Sequence, residues 1–280
     1  MLPAFFLIGE RVGEQVNIDA IVLVSFGVSI DEVREKSIDC LYKLVSDEYP
    51  QVQTELAYTS HTIRKKLADR GNFYHSPQSI LDKLACEGVK RVLVQPMHLI
   101  AGSEFHKIAF QVMLHQESFE QIVLGKPLFY GPEDYKEVLS ILKEEYKPLY
   151  DEVLVLMGHG SEHPMNAAYS ALAYECLRSF PNIIIATVEG YPSFEDALAQ
   201  IEGYEKDFGK LSKVKLAPLL FVAGDHAKND MASKEDEDSW FSVLSNKGYT
   251  VEAFEKGLGE IEEVLNVYLK RLKESANLFK

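Results

Sequence analysis

Short apolar runs recur along the whole chain, each followed by an amphipathic stretch, and this alternation limits the fold more than any other feature. The strand candidates are Ala20–Phe26, Val52–Tyr58, Arg91–His98, Gln121–Leu124, Glu152–Met157, Asn182–Val188, Val214–Phe221 and Tyr249–Phe254. All are of strand length, and the segments between them carry helix periodicity. Strands alternating with helices specify α/β architecture, in which crossover helices flank a mainly parallel sheet. Helix starts are written explicitly. Ser76-Pro77 places a cap and a first-turn proline before Ile80, Leu81 and Leu84, Gly88 closes that helix, and Ser193 with Asp196 has the spacing of a capping box.

The pattern repeats. Val22-Leu23-Val24-Ser25-Phe26-Gly27 is echoed by Val153-Leu154-Val155-Leu156-Met157-Gly158, and Gln95 to Gly102 by Ala217 to Gly224, with the proline and the Ala-Gly pair in register. Two similar lobes follow, residues 20–150 and 151–280, each a four-stranded, mainly parallel sheet with helices, after an N-terminal extension over 1–19. No Pro/Gly/Ser-rich linker separates them, so the lobes are expected to pack closely around a cleft. The last helix, about Gly259 to Leu278, is expected to cross back to the first lobe.

With 29 basic and 43 acidic residues, net charge −14, the chain lacks the cationic excess that phosphate contacts need, and nucleic acid is set aside as a partner. Cys40, Cys86 and Cys176 are odd in number and widely spaced, which fits a reducing compartment and a cytoplasmic location. The apolar run Leu2 to Ile8 is too short for a signal peptide core with its basic flank, and no run approaches membrane-spanning length, so no membrane association is expected.

In a parallel α/β sheet, functional groups collect where strands end and helices begin. His159 stands in Met157-Gly158-His159-Gly160, Glu189 in Val188-Glu189-Gly190-Tyr191-Pro192, and His226 in Ala223-Gly224-Asp225-His226, each after a different strand of the second half. If those strands are neighbours, about 4.8 Å apart, the three side chains can meet around one ion. Two imidazoles and a carboxylate suit cobalt, nickel, iron or zinc, and the carboxylate or an imidazole can also take a proton. A strand-end histidine alone is more often a packing residue; three together argue for a site. The run Lys234 to Asp238 reads as a solvated loop.

At this point the chain resembles a known family, the class II chelatases, and within it the CbiK-type anaerobic sirohydrochlorin cobaltochelatases. The resemblance spans about Ile21 to Glu260. It rests on Val24-Ser25-Phe26-Gly27, Thr59-Ser60 with Ile63-Arg64, His98-Leu99-Ile100 with Gly102 and Glu104, Met157 to Gly160, Glu189 with Tyr191-Pro192, Val222 to Ala227, Asn229 to Ser233, Ser239-Trp240 and Gly257 to Glu260. It implies two similar lobes with a tetrapyrrole in the cleft, and a lyase that inserts Co²⁺ into sirohydrochlorin for cobalamin synthesis. His159, Glu189 and His226 would hold the metal, and His159 or Glu189 would accept a pyrrole proton.

Residues expected to face the macrocycle are Ser29, Ser60, Arg64, His98 and Glu104, with Lys65 and Lys107 as further anchors for its carboxylates. The family usually carries a hydroxyl residue after Phe-Gly where this chain has Val28, so that contact is expected either to be lost or to be taken over by Ser29. Ni²⁺ or Fe²⁺ in place of Co²⁺ is the nearer alternative, and a non-catalytic two-lobed carrier the more distant one. The metal is a substrate. No organic cofactor is expected, since neither a G-x-G-x-x-G turn after the first strand nor a P-loop is present. The subunit number is left open, and a homo-oligomer is compatible with the sequence.

Overall fold

A computed structural model describes residues 17–279, so the expected extension over 1–19 lies outside it except for its last three residues. Eight strands form two four-stranded parallel sheets. The first contains β1 (Ala20–Ser25), β2 (Gln53–Tyr58), β3 (Arg91–Pro96) and β4 (Gln121–Leu124) in the order β2-β1-β3-β4. The second contains β5 (Glu152–Gly158), β6 (Ile183–Thr187), β7 (Lys213–Pro218) and β8 (Val251–Ala253) in the matching order β6-β5-β7-β8. The repeat seen in the sequence is thus a repeat of topology.

The central strands β1 and β5 are buried at every position. Helices cover both faces of their sheets, and a strand buried on both sides reads as an unbroken apolar run. Alternate residues serve different cores. Ala20, Val22 and Val24 face an outer cluster with α4 (Pro77–Cys86) and α5 (Ser103–Leu114), while Val153, Val155 and Met157 face another with α8 (Phe194–Phe208) and α9 (Trp240–Asn246). The other faces meet. Ile21 and Leu23 of β1 belong to the same buried cluster as Leu154 and Leu156 of β5, together with residues of α2 (Ile38–Glu48), α6 (Pro132–Tyr146), α7 (Ala167–Ser179) and α10 (Glu262–Ala276).

Helix α10 crosses to the first sheet, as expected from the sequence. Its Tyr268 hydroxyl donates to the Met97 carbonyl at 2.9 Å in a buried setting, and Arg271 pairs with Asp134 of α6 at 2.6 Å. The expected caps are present too: Ser76 Oγ accepts from Ser79 N, and Ser193 with Asp196 closes a reciprocal box at 3.2 and 2.8 Å. Strands β3 and β7 end earlier than expected, at Pro96 and Pro218. Beyond the prolines the chain stays apolar because Met97, Leu219 and Phe221 are buried in the shared core, not because the ladder continues. Among the described residues no helix is long and apolar enough to cross a membrane.

Candidate metal centre

The strand order places β5 between β6 and β7, so the chain leaves β5 at the point where successive crossovers run to opposite sides. Ligand sites form at such switch points, outside the carboxyl ends of the strands. The three ends lie level, with Gly158 paired to Thr187 and Met157 to Pro218. His159 therefore emerges directly from β5, and Glu189 stands two residues past β6. The backbone ties these loops together: Val188 N donates to Gly158 O at 3.0 Å and Glu189 N to His159 O at 2.8 Å. Gly160 has φ +84°, and a Cβ there would lie 2.7 Å from the Glu189 carbonyl carbon, so only glycine admits this approach.

His226 arrives from β7 on a segment that enters a π-helical turn, Ala227–Met231. That turn brings Asp230 back under the imidazole, and His226 Nδ1 donates to Asp230 Oδ2 at 2.7 Å. A carboxylate can only accept, so the proton sits on Nδ1 and the Nε2 lone pair is left for a ligand. His159 is oriented in the same sense, with Nδ1 3.1 Å from the Gly160 carbonyl. Its ring lies edge-on to His226 with centroids 4.7 Å apart, and its Nδ1 is 3.8 Å from Glu189 Oε2.

One donor atom from each of His159, Glu189 and His226 lies within 4.8 Å of the other two. Ligands bonded at about 2.1 Å to one ion lie at most about 4.2 Å apart, so small side-chain adjustments would suffice for the three to share one. The His159 and Glu189 side chains are 46% and 61% exposed, leaving the remaining coordination positions open to an incoming ligand.

The other expected residues gather in the first half. Ser60 caps α3 (His61–Ala68) by accepting from Ile63 N at 3.3 Å, and Arg64 lies one turn further on with its Nε buried and unpaired. Ser29 follows Val28, which is buried in the shared core, and the Ser29 carbonyl accepts from Arg70 at 2.9 Å. His98 follows β3 with both ring nitrogens buried and without a hydrogen-bond partner. Burial holds that imidazole neutral, pushed down to about 4, against the smaller opposing pull of the Glu104 carboxylate.

Glu104 begins α5. Burial is the strongest influence and pushes its carboxyl up, but Lys107, through its hydrogen bond and its charge, together with the nearby Thr59 hydroxyl, outweighs it and holds the group below the usual carboxylate range, with Oε2 buried and lacking a well-formed hydrogen bond. With the Ala-Gly pairs in register Glu104 is the counterpart of His226, and with Gly27 set on Gly158 at the first-strand repeat Val28 is that of His159. Lys65 is exposed, and the run Lys234 to Asp238 forms an exposed loop as expected.

Two features were not read from the sequence. Asp230 follows His226 by four residues, a spacing that would have signalled the pair had the segment been recognised as helical. His163, on the loop after His159, meets His106 of α5 with Nε2 and Nδ1 3.0 Å apart, joining the two halves. His163 Nδ1 accepts from Met165 N, so in this contact Nε2 carries the proton and donates to His106.

Comparison with known proteins agrees with this architecture. The sequence matches the family described as cobalt chelatase (CbiK) over residues 19–277. Sirohydrochlorin cobaltochelatase of Salmonella typhimurium is 33% identical over 261 residues, covering 92% of this chain and 97% of its own. Sirohydrochlorin cobaltochelatase CbiKC of Nitratidesulfovibrio vulgaris is 31% identical over 258 residues, 90% of this chain and 88% of its own. Among solved structures, SirB from Bacillus subtilis with Fe³⁺ shares the fold at a TM-score of 0.61 and 19% identity, over 92% of this chain and 95% of that one. On the extent of the family match and the identity of its relatives, the chain belongs to the CbiK cobalt chelatase family.

Proposed function

We propose that this protein inserts Co²⁺ into sirohydrochlorin, with His159, Glu189 and His226 holding the ion. The observation that carries the reading is the convergence of these donors at three adjacent strand ends, open on one side. Insertion requires that the pyrrole nitrogens lose two protons while the ion sheds water and enters through one face of the ring. His226, fixed by Asp230, serves as a ligand throughout. His159 and Glu189 are the more exposed pair and stand next to each other, so one of them can take a pyrrole proton as the metal transfers.

The tetrapyrrole lies in this proposal between the lobes 20–150 and 151–280. Its carboxylates meet Arg64 and the first turn of α3 behind Ser60, with Ser29 beside them. His98 stays uncharged and Glu104 is ionised but paired with Lys107, so these groups of the proposed opposite wall add no net charge. Cobalt is favoured over nickel or iron by the names of the relatives, since imidazole and carboxylate ligands alone do not separate these ions.

The test is anaerobic incubation of the protein with sirohydrochlorin and Co²⁺, followed by the visible spectrum of the macrocycle, beside the double variant His159→Ala, His226→Ala. Insertion well above the uncatalysed rate by the wild type, and none above it by the folded variant, is expected. Rates no higher than the uncatalysed one in both proteins, with metal or tetrapyrrole still bound, would overturn the reading and leave a carrier in its place.

A further inference from the structure

The loops that carry His159 and Glu189 must hold a fixed distance if both are to reach one ion, and a single side chain spans them. Asn166 Oδ1 accepts from Ser161 N at 3.0 Å, and Asn166 Nδ2 donates to Tyr191 O at 2.7 Å. Each bond lands two residues beyond a proposed ligand. The amide orientation is fixed by its partners, because a backbone N–H needs an acceptor and a carbonyl needs a donor. The fit is tight: a Cβ at Gly190 would lie 2.5 Å from Asn166 Oδ1.

Asn166 immediately precedes α7, where an asparagine normally caps the helix with its own side chain. Here it makes no such bond. Asn166 is itself helical, at φ −53° and ψ −25°, and ends a 3₁₀ turn over Pro164–Asn166, so it lacks the extended geometry of a cap and its side chain serves the two loops instead. Few side chains could replace it, since the position demands a donor and an acceptor at once on a short stem; aspartate cannot donate and leucine can do neither.

We infer that Asn166 is a positioning residue for metal capture, acting through the separation of Glu189 from His159. This rests on the reading of those residues as ligands. Partners of metal ligands in other sites change affinity by about 10–100-fold when removed, and a loss of about 10-fold in Co²⁺ affinity is expected for Asn166→Ala.

The experiment is calorimetric titration of the full chain with Co²⁺ alone, together with the visible absorption of the bound ion, for wild type, Asn166→Ala, Glu189→Ala and the double variant. Thermal unfolding is recorded for each. The inference predicts that Asn166→Ala weakens binding and alters the cobalt spectrum in the wild-type background, yet changes affinity less than about 2-fold once Glu189 is gone, the signature of coupled sites.

A merely structural role predicts equal losses in both backgrounds, and that result overturns the inference, as does unchanged affinity in Asn166→Ala. Should Asn166→Ala unfold, Asn166→Asp keeps the shape and the acceptor while losing the bond to Tyr191, and the same weakening and loss of additivity are expected of it. If the wild type binds no Co²⁺, or His159→Ala binds it as tightly, the ligand reading itself fails and the inference with it.

Discussion

A carboxylate partner at His226 and burial without any partner at His98 act on their imidazoles in different ways. Asp230 fixes which nitrogen of His226 carries the proton, so Asp230→Ala is expected to weaken Co²⁺ binding about 10–100-fold with little change in thermal stability, as measured by titration and thermal unfolding. His98 has no partner at either nitrogen and is kept neutral by burial. Its folded pKa lies near 4, below the ordinary value of 6.5. The unfolded chain therefore binds more protons there as the pH drops below 6.5, and stability is lost between that value and 4. For this one group the loss is about 2 kcal/mol between pH 7 and pH 5. Denaturant unfolding of His98→Leu across that range should show a pH dependence flatter by that amount; an unchanged slope would contradict the assignment. Asp230 and Asn166 were not legible in the sequence, because both act through hydrogen bonds set by loop trajectory, and the π-helical turn that returns Asp230 to His226 leaves no periodic signal.

Elements were the most legible scale. Strands β1 and β5 are buried on both faces, and that burial writes itself as an unbroken apolar run. The same signal misled at the ends of β3 and β7, where Met97, Leu219 and Phe221 are as buried as strand residues but belong to connecting segments. Hydrophobicity reports burial, and only the proline marks where the ladder stops. The crossing of α10 could be anticipated because a closing amphipathic helix needs an apolar face to cover. Its polar clasp could not: Arg271 is 5% exposed and pairs with Asp134, which also accepts from Tyr130 N and Gly131 N. Arg271→Ala leaves that carboxylate inside without its cation, and a loss of about 3 kcal/mol is expected by denaturant unfolding. The two backbone donors that remain keep the loss at the low end of the range for buried pairs. Tyr268→Phe removes one buried hydrogen bond and leaves the Met97 carbonyl unpaired, for about 1–2 kcal/mol.

On the scale of the molecule, two sheets share one strand order, but the proposed metal-binding set lies on one of them. Where the second half has His226 the first has Glu104, and where the second has His159 the first has Val28, buried in the core. Among the described residues the group His159, Glu189 and His226 gathers at the second sheet. The shared core, with Ile21 and Leu23 facing Leu154 and Leu156 through one cluster, holds the halves against each other, so the first sheet can serve as the opposite wall. Helix α10 adds a strap from the second half to the first. The proposed metal site is thus asymmetric on a scaffold of two like sheets. Anomalous diffraction at the cobalt edge from crystals soaked in Co²⁺ tests it most directly. One dominant peak is expected about 2.1 Å from donor atoms of His159, Glu189 and His226. A dominant peak at Glu104, at the acidic loop 234–238, or anywhere other than those three side chains would contradict it.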